Sequence, residues 1–310
     1  MSKLLVTGGA GFMGSNFVVR SIQRDPGLDI TVVDSLTYAG DLKNLSEVES
    51  SINFIKGDIC DQGLVDSLVA KSDIIVNFAA ETHNDNSLLD PSPFMRTNIL
   101  GVFTLISATR KHSKRFHQIS TDEVFGDLPI NGSEQFVESS PMNPSSPYSA
   151  SKASGDMLVR SWHRSFGLAA TISNSSNNFG KNQNPEKLIP NAIRAAQNDQ
   201  PITVYGNGQN IRDWIHVDSH TDGVWSILNH GRIGETYLLG SRAERTNIQV
   251  VTHILKTLGK PEELLTFVAD RPGHDRRYGI DPSKAEAELG WRSSDRSFED
   301  QLTEVIGSYL

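Results

Sequence analysis

The sequence predicts an α/β protein, a doubly wound parallel sheet followed by a smaller α/β lobe. Three observations predict it. Short apolar runs alternate with longer stretches of helical period through the first half. The runs are apolar throughout rather than every second residue, as strands covered on both faces must be. A glycine-rich turn, Thr7-Gly8-Gly9-Ala10-Gly11-Phe12-Met13-Gly14, joins the first run to the first helical stretch.

In chain order, Lys3–Thr7 reads as a buried strand, Gly14–Arg24 as a helix and Ile30–Asp34 as a second strand. Asn53–Lys56 is a short third strand, Gln62–Ala70 a helix and Ile74–Phe78 a fourth strand. A helix over Thr97–Lys111 precedes a fifth strand, Arg115–Ser120, and a long helix from Tyr148 to Phe166 precedes a sixth, Ala169–Ser173. Asn174–Pro190 is rich in Asn, Ser, Gly and Pro and reads as a long functional loop. Beyond it, strands are expected at Ile202–Tyr205 and Glu235–Leu239. Helices are expected at Pro190–Asn198, Val217–His230, Asn247–Leu258, Ser283–Leu289 and Phe298–Ser308. Residues 1–176, with a returning segment near 215–245, form the expected first domain; 177–310 form most of the second.

The 310 residues can bury a core without disulfides, and Cys60 is the only cysteine. That excludes an internal disulfide and a cysteine-rich zinc site, and points to a reducing, cytoplasmic setting. A net charge of −8 argues against a nucleic-acid binder that grips the phosphate backbone. No apolar run approaches the roughly 20 residues of a membrane span. Isolated histidines lack metal-ligand spacing, so no metal is expected.

Gly8, Gly11 and Gly14 permit a tight turn, a close approach to a pyrophosphate and close helix–strand packing. This is the dinucleotide-binding turn of a Rossmann-type sheet, with Phe12 and Met13 inside it. Asp34 ends the second strand, 20 residues after Gly14. A carboxylate there accepts from ribose hydroxyls and repels a 2′-phosphate, which favours NAD over NADP. Asp58, with Ile59 beside it, is a candidate for the adenine and equally an ordinary surface acid. Ala79 and Ala80 end the fourth strand beside the expected cofactor.

Tyr148 and Lys152 stand at i and i+4 of the long helix and share one face. A nearby ammonium favours phenolate, so this tyrosine is expected to have a lowered pKa and to take a proton from a hydroxyl as hydride leaves the same carbon. Asp122-Glu123 follows the fifth strand, at the sheet edge where ligands bind. A helix N-cap with first-turn acids is the alternative reading, but Val124–Pro129 does not read as a helix.

The glycine turn with Tyr148-Ser149-Ala150-Ser151-Lys152 resembles the extended short-chain dehydrogenase/reductase family. Ser120-Thr121-Asp122-Glu123-Val124-Phe125-Gly126 and Arg271–Tyr278 narrow the resemblance to its nucleotide-sugar 4,6-dehydratases, most often acting on dTDP-glucose. The resemblance implies oxidation at sugar C4 by bound NAD, loss of water across C5 and C6, and return of hydride to C6. It implies Asp122 as the acid at C6, Glu123 as the base at C5, and Thr121 as a partner of O4. It assigns substrate contacts to His83, Asn174, Asn177, Lys187, Arg212, Asn247, Arg271, His274 and Tyr278. It also implies a homodimer built from Thr97–Lys111 and the helix after Tyr148. A 4-epimerase or UDP-glucuronate decarboxylase of the same fold is the alternative, and an NAD-sensing protein without activity a more distant one. The chain departs from the family at Asn86, where Arg is usual, at Phe125 and Phe179 for Tyr, and at Ser175 for Cys.

Overall fold

The computed structural model describes residues 2–310. Seven parallel strands form the main sheet: β1 (Lys3–Thr7), β2 (Asp29–Asp34), β3 (Asn53–Lys56), β4 (Ile74–Asn77), β5 (Arg115–Thr121), β6 (Ala169–Ser175) and one contributed later by the second half. A second set comprises β7 (Asn177–Phe179), β8 (Ile202–Tyr205), β9 (Ile211–His216), β10 (Thr236–Leu239), β11 (Glu244–Thr246) and β12 (Leu265–Val268). The main sheet runs β10-β6-β5-β4-β1-β2-β3, so strand order reverses between β1 and β4. The crevice at such a reversal, outside the carboxyl ends of the strands, is where ligands bind in open α/β sheets.

Alternate residues of each strand feed two cores. Leu4, Val6 and Val32 pack on α1 (Phe12–Arg24), while Leu5, Val33 and Ile75 face α2 (Gln62–Ala70) on the other side. The second core is completed by α5 (Val102–Lys111) and α6 (Pro147–Phe166), which follow the short α3 (Asn84–Leu89) and α4 (Ser92–Met95). The expected helix Thr97–Lys111 is not uniform: Arg96–Gly101 forms a wide π-helical turn before α5. Gly101 packs closely there, since a Cβ on it would lie 2.4 Å from the Ile59 side chain.

The second half contributes α7 (Leu188–Gln197), α8 (Val217–His230), α9 (Asn247–Thr257), α10 (Ser283–Leu289) and α11 (Phe298–Gly307). Helix α8 packs on α1 through Val224, Ile227 and Leu228, and β10 pairs with β6, so this stretch of chain belongs to the main sheet. The remainder builds a smaller lobe with its own core of Phe179, Ile189, Trp214, Val250, Ile254 and Leu302. It holds a three-stranded sheet, β11-β9-β7, and a two-stranded one, β12-β8. The expected loop 174–190 is shorter than read, since β6 runs on to Ser175 and Asn177–Phe179 pairs with Trp214–His216. No helix among the described residues is long and apolar enough to cross a membrane.

Candidate active site

A cavity of about 760 Å³ opens at the strand-order reversal. One end is the glycine turn. Gly8 has φ +67°, and a Cβ on it would lie 2.5 Å from the Ala79 nitrogen. A Cβ on Gly14 would lie 2.3 Å from the Gly8 carbonyl oxygen, so both positions admit only hydrogen. Helix α1 starts straight after Gly11 with no side chain capping it, which leaves its first N–H groups open to an anion. Phe12, Met13, Asp34, Asp58, Ile59, Ala79 and Ala80 all line this end. The Asp34 carboxylate accepts from the Ala10 and Leu36 N–H groups at 2.9 and 2.8 Å, which fixes it at the rim. Asp58 pairs with Arg96 at 2.7 Å and accepts from the Cys60 N–H at 2.8 Å. A backbone cradle with an open helix start and an oriented carboxylate fits a dinucleotide with free ribose hydroxyls.

At the other end β5 delivers the acid pair. Thr121 caps a single 3-10 turn, Asp122–Phe125, its hydroxyl oxygen accepting from the Glu123 N–H at 3.3 Å. The expectation of no helix here is therefore corrected: the pair does occupy the first turn of a capped, very short helix. Four residues suffice for that, so no helical period was visible. The turn sends the two side chains apart. Asp122 is 1% exposed, accepts from the Thr121 hydroxyl at 3.2 Å, and among the described residues has no hydrogen-bond partner on Oδ2. Burial first, then the Glu123 and Asp213 charges, push its carboxyl well above the usual carboxylate range. Glu123 is half-buried and lines the cavity.

Tyr148 and Lys152 project from the first turns of α6 into the same cavity. A capping box at Ser146 and Ser149 fixes this helix start. Lys152 donates to the Ile119 carbonyl at 2.7 Å; burial lowers it to about 8, against the opposing charge of Asp156. The expected lowering of Tyr148 is not what the protein alone provides. Burial and the Glu123 charge hold the phenol well above its usual range, with a hydrogen bond to Thr121 acting the other way. The Lys152 ammonium is engaged by a backbone carbonyl, so burial dominates, with the Glu123 charge next.

The residues expected at the substrate divide. Asn177 and Lys187 line the cavity, Lys187 donating to the Thr82 carbonyl at 2.9 Å. Asn174 does not face it: the side chain is fully buried and donates to the Thr121 carbonyl and to Asp156, both at 3.0 Å. It braces the acid-bearing strand from behind. His83 caps α3, accepting from the Asn86 N–H at 3.3 Å. Arg212 is 5% exposed, donates to the Asp275 and Ile211 carbonyls, and lies 4.2 Å over the Tyr278 ring. Arg271 pairs with Asp85 at 3.0 Å, His274 with Asp270 at 2.6 Å, and Asn247 begins α9. Arg271, Tyr205 and His274 thus form a cluster beyond the cavity, held to α3 through Asp85.

Comparison with known proteins places this geometry. The profile of the family described as GDP-mannose 4,6 dehydratase matches residues 5–305. The chain belongs to this family. It is 50% identical over 307 residues to a dTDP-glucose 4,6-dehydratase of Mycolicibacterium smegmatis, covering 99% of this chain and 93% of the relative. Among solved structures, the dTDP-glucose 4,6-dehydratase DesIV of Streptomyces venezuelae, described with NAD and TYD bound, superposes with a TM-score of 0.95. It is 41% identical and covers 99% of this chain and 96% of its own. A UDP-glucose 4-epimerase of Thermus thermophilus in complex with NAD shares the fold at a TM-score of 0.90 but is 26% identical, over 99% of this chain and 98% of its own.

Within this 4,6-dehydratase framework several site residues carried no signal in the sequence. Asn84 donates to Glu123 Oε2 at 2.9 Å. Asn98, in the π-helical turn, accepts from the Glu81 N–H and donates to the Glu81 carbonyl and Ser151, clamping the loop after β4 to α6. Tyr38, Glu81 and Glu186 meet at the cavity rim, where burial and the two carboxylates push the Tyr38 phenol up to about 12. Of the departures, Asn86 is exposed on α3 and does not line the cavity. Phe125 stacks on Phe136, and Phe179 packs on Trp214 and Phe298.

Proposed function

We propose that this chain dehydrates dTDP-glucose to its 4-keto-6-deoxy sugar, with NAD held along Gly8, Gly11, Phe12, Met13, Gly14, Asp34, Asp58, Ile59, Ala79 and Ala80. The observation that supports the assignment of roles is the divergence of Asp122 and Glu123 in one turn: Glu123 lines the cavity with Tyr148, whereas Asp122 is not in its lining and lies buried behind it with a raised carboxyl. An epimerase needs the tyrosine and lysine; only an elimination needs an acid and a base of opposite character on neighbouring carbons. When bound, the nicotinamide supplies a hydride acceptor and donor and a positive charge beside the phenol.

Tyr148 takes the O4 proton, with the Thr121 hydroxyl bonded to the phenol and Lys152, anchored on the Ile119 carbonyl, on the same face of the helix. The 4-ketone acidifies C5–H. Glu123 removes that proton while Asp122, kept neutral by its buried setting, gives one to the departing C6 hydroxyl. Lys187, Asn177 and the Arg271 cluster serve the nucleotide diphosphate, a guanidinium matching phosphate oxygens with paired hydrogen bonds. Residues 1–176 with the returning stretch near 215–245 serve the cofactor; the remaining part of 177–310 serves the nucleotide sugar.

The enzyme is a cytoplasmic homodimer in this reading. Leu100, Phe103, Met157 and Phe166 leave apolar surface on the π-helical turn, α5 and α6, which suits a four-helix contact between copies. Light scattering should give twice the chain mass, and a mass near one chain would refute the dimer. For the reaction, dTDP-glucose deuterated at C4 should yield a 4-keto-6-deoxy product with the label at C6. A labelled epimer formed without loss of water would overturn the assignment.

A further inference from the structure

We propose that Asn84 is a positioning residue for Glu123, fixing which oxygen of its carboxylate meets the substrate; the inference rests on Glu123 being the base at C5. Asn84 Nδ2 donates to Glu123 Oε2 at 2.9 Å. The Tyr278 hydroxyl approaches the same oxygen at 3.5 Å and is itself held by Asp275 at 2.5 Å. Both protein contacts thus fall on Oε2. Among the described residues no protein donor reaches Oε1, and Glu123 lines the cavity, so Oε1 is the oxygen left for the sugar.

The amide orientation is determined by its other end. Asn84 Oδ1 accepts from the Ser146 hydroxyl at 2.8 Å, and a carboxylate can only accept, so the NH₂ group must face Glu123. Ser146 is the N-cap of α6, the helix that carries Tyr148. On the other side, Asp85 accepts from Arg271 at 3.0 Å and Tyr205 at 2.9 Å, which ties the start of α3 to the second lobe. Asn84 therefore links the oxidation helix and the elimination base, and its neighbour Asp85 ties the same helix start to the substrate lobe.

An amide suits this task because it is neutral. It orients the anion without cancelling the charge that makes it a base, as Lys or Arg would. It also fits both ends of the step: when the C5–H bond breaks and its proton joins Oε1, the electron pair flows toward the C4 ketone, and Oε2 still accepts from Asn84. Elimination then completes as the C6–O bond breaks and Asp122 protonates the leaving hydroxyl.

The test compares wild type with Asn84→Leu and Asn84→Gln on dTDP-glucose, following C4 oxidation by nicotinamide absorbance, elimination by its decay, and C5 exchange in D₂O. Asn84→Leu should slow elimination about tenfold while oxidation stays within about twofold, since a hydrogen bond to a charged group is lost at one step only. C5 exchange in D₂O should slow together with elimination while nicotinamide reduction holds, a split that a merely structural role would not give. Asn84→Gln, which keeps the amide, should recover most of the rate. Equal slowing of both steps, or elimination unchanged in Asn84→Leu, would overturn the inference. Should that variant not fold, Asn84→Ala carries the same expectations. A wild type that fails to dehydrate dTDP-glucose would instead sink the functional reading beneath it.

Discussion

Asp122 and Glu123 are consecutive carboxylates that one short turn sends into opposite surroundings. Asp122 is buried with an unpartnered oxygen and its carboxyl is raised; Glu123 borders the cavity and receives an amide donor. Two acids pushed apart by environment are how one site runs acid and base steps together. Glu123→Gln should cut product formation by about 10² to 10⁴, the usual worth of a positioned acid or base, yet leave C4 oxidation running. The check is accumulation of reduced nicotinamide without C5 exchange in D₂O; loss of oxidation as well would assign Glu123 elsewhere. Asp122→Asn should slow elimination on the same scale. In the wild type the elimination step should weaken as pH rises through the raised Asp122 value, because the acid form is the one that protonates the leaving group. The identity of these residues was legible from Thr121-Asp122-Glu123, but their difference was not, because it depends first on the burial of Asp122, which only the folded packing creates, with the Asp213 charge from β9, distant in sequence, adding to it.

At the scale of elements, the parts with strong local signals were legible and those made by distant pairing were not. The strands β1 and β3 and the helices α2, α8 and α10 fall where apolar periodicity and end signals put them. Strands β7, β9, β11 and β12 were missed or blurred. They are three to six residues long and exist through pairing with partners far along the chain, as in Asn177–Phe179 with Trp214–His216. The π-helical turn was hidden for another reason: its sequence, Arg96–Gly101, has ordinary helical character, and the contacts that surround it, Gly101 against Ile59 and Asn98 bonded to Glu81, are made by residues distant in sequence. The glycine turn sits at the legible extreme, since its geometry is demanded within eight residues. Gly14→Ala would set a methyl 2.3 Å from the Gly8 oxygen, in backbone that cannot swing aside. It should weaken NAD affinity by about tenfold or more and lower the melting temperature, because the close helix–strand approach is lost. Calorimetric titration with NAD reads the first effect and thermal unfolding the second; unchanged affinity would mean the cofactor does not lie on this turn.

Across the whole molecule, the second half returns to roof the main sheet with α8 and extend it with β10, and this return brings two histidines into the interior. His117 on β5 is satisfied by the Thr171 and Ser173 hydroxyls at 2.9 and 3.1 Å. His220 on α8 stands edge-on to Phe78, with ring centroids 6.5 Å apart, and among the described residues neither of its nitrogens has a partner. Burial lowers both from 6.5 to about 3, His117 with further repulsion from Arg115. Between those values the unfolded chain binds protons that the folded one refuses, so stability falls as pH drops from about 6.5 toward 3. Each such histidine costs at most about 1.4 kcal/mol per pH unit in that window. The raised buried acids Asp122, Asp156 and Asp213 act with the opposite sign in their own range, so the net curve of the wild type does not isolate the term. A difference measurement does. His220→Leu keeps an apolar group against Phe78 and removes the titrating ring. Its urea midpoint should match or exceed the wild type at pH 7, and the gap should widen by about 1 kcal/mol for each unit of acidification toward pH 5. Parallel midpoints for the two proteins across that range would show that the imidazole is protonated inside the fold at little cost, and that acid sensitivity resides in the charged surface instead.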